Sequence, residues 1–324
     1  MKSLLPAALA LALLGAPALA QSLAVQLKGP GLAGNAGFLL AEAQGPYAGA
    51  GLEVRLLPPS DAPPFESLAR GAADLTVEWM PAALLARENG LPLVNIGQIL
   101  ARPSLRLACR ADAGVGDAAG LRGKSVASWF EGAELPLEAW LNRAGVPQAE
   151  VTLVRQSDGP EMLRQRQADC VSTRSFAVPD DADTAADTTL DAVSLDPGPA
   201  ATLEDGLYAL DAALADPAMR DGMARFLRAS MAGWRAAAAD PAGTARLLLG
   251  PDPDEGALAR LTDALRGMSP LLGDGRLDDA AYRQTVEVLR AGGADAVLRR
   301  APEKAFTHKI SDLAAKPAGQ ASLP

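Results

Sequence analysis

A chain of 324 residues with 49% hydrophobic and 21% charged residues can bury a core of ordinary size and is not a disordered tail. A formal net charge of −9, one histidine and 4% aromatic residues exclude the basic footprint and stacking platforms that a nucleic-acid binder needs. One or two domains are expected at this length.

Residues 1–20 read as a cleaved secretion signal. Lys2 gives a short positive start, residues 4–14 form an apolar run of Ala and Leu, and Ala18-Leu19-Ala20 offers a small-x-small cleavage pattern before Gln21. The run is too short to span a bilayer with margin, no later stretch is apolar for long enough, and no cysteine follows to carry a lipid anchor. A soluble periplasmic protein, cleaved after Ala20, is expected.

Beyond the signal, β-like runs alternate with helical stretches: LAVQLK then 35–45, LEVRLL then 65–71, ADLTVEW then 81–90, and LPLVNIGQI. This is the α/β pattern of a mostly parallel sheet with crossover helices. The alternation restarts at SLRLACR and GKSVASWF, then passes through a helix near 134–144, VTLVRQ, a helix near 160–168 and DCVSTRS. Residues 179–200, rich in Asp, Thr, Ala and Pro, read as a surface loop with one short strand, TLDAVSL. From about residue 210 the pattern is nearly all helical. Met219, Met223, Phe226, Met231 and Trp234 recur at helical spacing, and Asp216-Pro217 and Asp240-Pro241 open helices. The expected organisation is a first lobe over 21–108, a second over 109–200, a return to the first with a helical tail over 201–313, and a disordered tail over 314–324. Crossings are expected near 105–112 and 195–208.

Cys109 and Cys170 form an even pair in an oxidising compartment, which invites a disulfide, yet both sit in apolar strand-like runs that equally suit free thiols. The reading taken is two buried free thiols. With His308 far downstream they supply no metal-ligand set, and no cofactor is expected. Hydrolysis lacks its residues, because His308 is the single histidine and no Gly-x-Ser-x-Gly elbow occurs.

The candidate site comes from strand ends, where α/β sheets bind ligands. GPGLAGNAG at 29–37 lacks the spacing of a P-loop or a dinucleotide fingerprint, but places flexible backbone and Asn35 after the first strand. TVEWM ends with Glu78 and Trp79. SVASWFEGAELP carries Trp129, Phe130, Glu131 and Glu134, and CVSTRSF ends with Arg174. An aromatic beside an acid at two such ends suggests stacking on a flat ligand and acceptors for its amino groups. Either tryptophan serves equally well as a core plug, and Trp140, within a helix, reads as core.

At these residues the chain resembles the periplasmic solute-binding proteins that include binders of the thiamine pyrimidine precursor, related to nitrate and sulfonate binders. The resemblance is carried by residues 37–56, 68–99, 121–141, 166–175 and 201–214. It implies the type II periplasmic binding fold, two α/β lobes closing on a ligand, and delivery to an ABC permease in the inner membrane; a monomer is expected. The ligand set expected is Asn35, Phe38, Glu78, Trp79, Trp129, Phe130, Glu134 and Arg174. Departures bear on the ligand: relatives commonly read Gly-Asn-Glu-Tyr-Pro at Gly132-Ala133-Glu134-Leu135-Pro136, Tyr-Asn-Glu at Arg174-Ser175-Phe176, and Pro-Gly-Gly at Pro58-Pro59-Ser60. Members that synthesise pyrimidine use a cysteine cluster and a consumed histidine, and this chain has neither. The function expected is a non-enzymatic receptor for a small, flat, nitrogen-rich molecule such as a thiamine pyrimidine precursor. The alternatives are a sulfonate- or nitrate-type anion receptor, with Arg174 and helix N-termini as donors, and last a pyrimidine-synthase-like enzyme.

Overall fold

The strand β1 (Gln21–Gln26) passes from half-exposed to fully buried along its length, as a strand does when it enters a sheet covered on both faces. The computed structural model describes residues 20–29, 31–60, 62–130, 132–157, 159–176 and 201–317, and the backbone of 190–194. The secretion signal up to residue 19, Glu131, most of the 179–200 loop and the tail beyond 317 lie outside the described residues.

After β1 come α1 (Ala36–Ala43), α2 (Pro46–Gly49), β2 (Leu52–Leu57), α3 (Phe65–Ala69), β3 (Leu75–Trp79), α4 (Met80–Glu88) and β4 (Leu93–Leu100). The chain then enters a second group: β5 (Leu105–Arg110), β6 (Ser125–Ser128), α5 (Leu135–Arg143), β7 (Thr152–Arg155), α6 (Gly159–Arg164), β8 (Cys170–Arg174) and β9 (Leu190–Ser194). It returns through β10 (Asp205–Leu210), α7 (Pro217–Ala239), α8 (Pro241–Leu249), α9 (Glu255–Met268), β11 (Leu272–Gly275), α10 (Asp279–Leu289) and α11 (Lys309–Ala315). The first sheet has the order β11-β4-β10-β3-β1-β2 and the second β7-β6-β8-β5-β9. The chain passes between them through 101–104 and again between Ser194 and Asp205.

The sheets are mixed rather than mostly parallel. β1 runs parallel to β2 and β3, but β10 inserts antiparallel between β3 and β4, and β11 caps β4 antiparallel. β10 comes back from the other sheet, so it enters at the edge where β3 ends and must run against it. Local alternation shows the parallel units and is silent about a returning strand. β11 likewise interrupts a stretch read as nearly all helical.

α7 buries Met223, Phe226, Leu227, Met231 and Trp234 against the first sheet's core, and its start is set by Pro217 and by the Asp216 carboxylate accepting from Ala218 N at 2.8 Å. α1 lies so close to it that a Cβ on Gly233 would stand 2.1 Å from the Gly37 carbonyl oxygen. Phe38 sits in this seam, stacked on Phe226 at 6.1 Å and edge-on to Trp234 at 5.7 Å. At the other end, α11 carries Ala314 and Ala315, where a disordered tail was expected; Arg228 donates to the Ala314 and Leu313 carbonyls and holds that helix end to α7.

Cys109 and Cys170 form a disulfide, which corrects the free-thiol reading. β5 and β8 pair antiparallel in a register that sets these two residues opposite each other, a fact of sheet topology that the two apolar runs do not reveal. The bridge closes a loop with a sequence separation of 61. We expect the native protein to weigh two hydrogens less than its reduced form. Urea unfolding of the Cys109→Ala/Cys170→Ala variant should show a loss of roughly 2 to 4 kcal/mol. An unchanged unfolding midpoint would show that the bridge adds nothing to stability.

Candidate functional site

The carboxyl ends of β1, β2 and β3 in one sheet face those of β6, β7 and β8 in the other, which is where open α/β sheets place ligands. Between them lies a cavity of about 440 Å³. Lys28 and Gly29 reach it just beyond β1, Pro59 and Ser60 beyond β2, and Trp79 ends β3. From the other sheet come Trp129 and Phe130 after β6, Arg155 and Gln156 at the end of β7, and Arg174 and Phe176 at the end of β8. Asp205 joins them from the first residue of β10.

Trp79 is the centre of the wall. It is fully buried, the Lys28 Nζ lies 4.2 Å from its ring centroid and the Arg174 guanidinium 4.8 Å, both within cation–π range. Its indole Nε1 is buried without a hydrogen-bond partner among the described residues. Lys28 makes no ion pair among the described residues. Burial draws its ammonium below the ordinary value of 10.5, while Asp205 and Glu78 hold it up. Arg174 is 3.1 Å from a carboxylate oxygen of both Glu204 and Asp205, so its charge is committed inside the protein. Phe130 has φ 62°, a left-handed conformation that costs an L-residue roughly 1–2 kcal/mol and is typical of ligand clamps. Its ring lies 5.3 Å from the Arg155 guanidinium, and Arg155 Nη1 donates to the Trp129 carbonyl at 3.3 Å. Gln156 fixes the end of β7 to β8 by donating to the Ser172 carbonyl and accepting from the Ser172 amide, each at 3.0 Å.

Of the residues named from the sequence, Trp79, Trp129, Phe130 and Arg174 line the cavity. The other four stand behind it. Asn35 Nδ2 donates to the carbonyls of Lys28 at 2.8 Å and Gly31 at 3.2 Å, so it shapes the loop that presents Lys28. Phe38 belongs to the core between α1 and α7. Glu134 accepts from the Gly132 amide at 2.9 Å and closes the turn ahead of α5. That turn packs tightly on the first lobe: Gly132 has φ 102°, and a Cβ there would stand 2.5 Å from the Ala82 Cβ. Glu78 is fully buried beneath the wall and accepts from the Trp79 amide at 2.8 Å. Burial pushes its carboxyl up to about 8, against the opposing pull of Lys28 and the Trp79 amide.

Sequence reasoning missed Lys28, Arg155, Gln156, Phe176 and Asp205. Lys28 and Arg155 stand at strand ends like Trp79 and Arg174, and applying the strand-end rule to every strand finds them. Asp205 begins an antiparallel strand, so that rule does not reach it.

The family model described as NMT1/THI5 like matches residues 33–244, well over half of the chain. The chain belongs to this family. Solved structures agree on the fold. A Bordetella bronchiseptica protein is 18% identical with a TM-score of 0.70, covering 90% of this chain and 96% of its own. The alkanesulfonate-binding protein SsuA of Xanthomonas axonopodis pv. citri, bound to MOPS, is 14% identical with a TM-score of 0.64, covering 91% and 98%. A Candida albicans gene product described as exhibiting the generic periplasmic binding protein fold is 14% identical with a TM-score of 0.64, covering 90% and 94%. Comparison with curated protein sequences finds no match. The family member described here thus has the two-lobed type II periplasmic binding fold that its sequence resemblance implied.

Glu78 yields a signed pH prediction. Its folded carboxyl holds a proton up to about 8, whereas an exposed one ionises near 4.5, so the unfolded chain releases the proton first. Its contribution to stability is therefore full below 4.5 and is lost as pH rises toward about 8. Glu78→Gln cannot ionise and should remove that part of the pH slope in urea titrations. A slope identical in the two proteins would show that Glu78 does not hold its proton in the fold.

Proposed function

We propose that this protein is the periplasmic, non-enzymatic receptor of an ABC importer, and that its cleft takes a small organic anion with a flat apolar body. Secretion and cleavage after Ala20 would put it in the compartment where the Cys109–Cys170 bridge is maintained. It would act as a monomer that closes on its solute and presents it to a membrane permease. Among the described residues no helix is long and apolar enough to cross a membrane.

The observation that carries the anion reading is the charge balance of the wall. Lys28 lines the cavity with no ion pair among the described residues, the Trp79 indole N–H lacks an acceptor among them, and the carboxylates are already occupied. Asp205 is paired with Arg174, and Glu78 lies behind Trp79 with its proton held. Such a wall offers donors to acceptor oxygens, while Trp79, Trp129, Phe130 and Phe176 supply apolar surface for a ring or chain. A sulfonate of modest size fits this chemistry, and one structural relative is a named alkanesulfonate binder. The aminopyrimidine reading keeps one support, the Asp205 carboxylate at the cavity wall, and ranks second because Arg174 already uses it.

Calorimetric titration with benzenesulfonate and with uncharged benzenesulfonamide tests this. The sulfonate should bind more tightly, and Lys28→Met should weaken it by about 1.5 to 3 kcal/mol, the range for a charge-assisted hydrogen bond, while barely changing the sulfonamide. Tighter binding of an aminopyrimidine, lost in Asp205→Asn and indifferent to Lys28→Met, would overturn the anion reading in favour of the second. Recovery of a chemically altered solute would contradict a receptor without turnover.

A further inference from the structure

We propose that Arg174 is a positioning residue that ties the two lobes together across their pivot and sets their spacing before any solute arrives. Its two carboxylate partners are consecutive residues at the end of the returning crossing, and their carboxylates engage different bodies. Glu204 is bound to the outgoing crossing and the second sheet: its carboxylate accepts from the Ser104 amide at 2.5 Å, the Leu105 amide at 2.7 Å and Ser104 Oγ at 2.5 Å. Leu105 opens β5 and stands opposite Arg174 in the β5–β8 register, and the Ser175 amide donates to the Ser104 carbonyl at 2.7 Å. The Glu204 carboxylate, Ser104, Leu105 and Arg174 therefore form one unit with the second lobe, while the Glu204 carbonyl accepts from Gln98 Nε2 of β4 at 3.2 Å and anchors that unit to the first lobe. Asp205 is the first residue of β10 and pairs with Trp79 of β3, so it moves with the first lobe.

Arg174 Nη1 is 3.1 Å from both Glu204 and Asp205, and Nη2 reaches the other Asp205 oxygen at 3.5 Å. Rotation about the crossings preserves the Glu204 contact and must lengthen either the Asp205 contact or the approach to the Trp79 ring. The side chains of Arg174, Glu204 and Asp205 are 15%, 1% and 7% exposed, so little water is present to screen the tie or to replace it. The pivot thus carries an electrostatic restraint as well as two strands of backbone. The same pairing removes Arg174 from the ligand's donors, although it lines the cleft.

The inference rests on the two-lobed receptor reading, and its test uses no solute, so the two can fail separately. Spin labels are attached through Glu53→Cys on β2 and Thr152→Cys on β7, both exposed positions on sheet-edge strands whose ends meet at the cleft. In ligand-free protein, Arg174→Lys and Asp205→Asn should each broaden the interlabel distance distribution and move its centre to longer distances. Lys124→Met, which removes a cation of the second lobe away from the cavity, should leave it unchanged. Arg174→Gln/Asp205→Asn, which strands fewer charges than Arg174→Gln alone, serves if a single variant folds poorly; circular dichroism checks each. Distributions superimposable on the parent in well-folded Arg174→Lys and Asp205→Asn would overturn the proposal. A shift in Lys124→Met equal to theirs would also overturn it, by showing that any lost cation loosens the cleft.

Discussion

The structure turns on one carboxylate. Glu204 lies in the short link where the chain re-enters the first sheet, is almost wholly buried, and gathers two amides and a hydroxyl from the link that leaves it. A buried carboxylate is costly unless its lone pairs are filled and its charge answered, and here the Ser104–Leu105 backbone fills them while Arg174 answers the charge. The two links are thereby locked side by side. With the links fixed, β10 must enter between β3 and β4, and the carboxyl ends of both sheets must face one another. The cleft follows from that geometry rather than from a separately built pocket.

The cleft's chemistry follows from what burial does to charge. Three basic side chains and one carboxylate reach the cavity wall. Arg174 and Asp205 cancel each other, with Glu204 behind them, and Glu78 is so deeply buried that it keeps its proton near neutral pH. What remains at the cavity wall is the Lys28 ammonium and the Trp79 indole N–H, arranged among aromatic faces. Aromatic surface beside the Lys28 ammonium and the Trp79 indole N–H is what favours the proposed organic anion over a nitrogen-rich base.

The sequence made the α/β lobes legible because hydrophobic period and strand-end punctuation are local properties; β1 to β4 and β5 to β8 all lie where those signals stand. It also placed Trp79, Trp129, Phe130 and Arg174 at strand ends, and these line the cavity. What it could not show depends on pairing between distant segments. The antiparallel insertion of β10, the opposition of Cys109 and Cys170 and the capture of Arg174 by Glu204 and Asp205 are all facts of register. Phe38 illustrates the opposite error, since a family-typical aromatic near a glycine-rich turn looks like a ligand contact until α7 is seen to cover it. Glu78 was found at the right place in the chain but on the wrong side of the wall: neighbours in a strand point to opposite faces, and Trp79 has the cavity.

Hydrogen exchange at the Ser104 and Leu105 amides tests the central constraint most directly. Ser104 lies in a link rather than a strand, so by secondary structure alone its amide should exchange like an exposed turn such as that at Gly116. If the Glu204 carboxylate organises the pivot, both amides should instead show protection approaching that of Leu107 within β5 in ligand-free protein. That protection should fall in Glu204→Gln, which keeps the size but loses the charge. Rapid exchange of both amides in the parent protein would contradict the account.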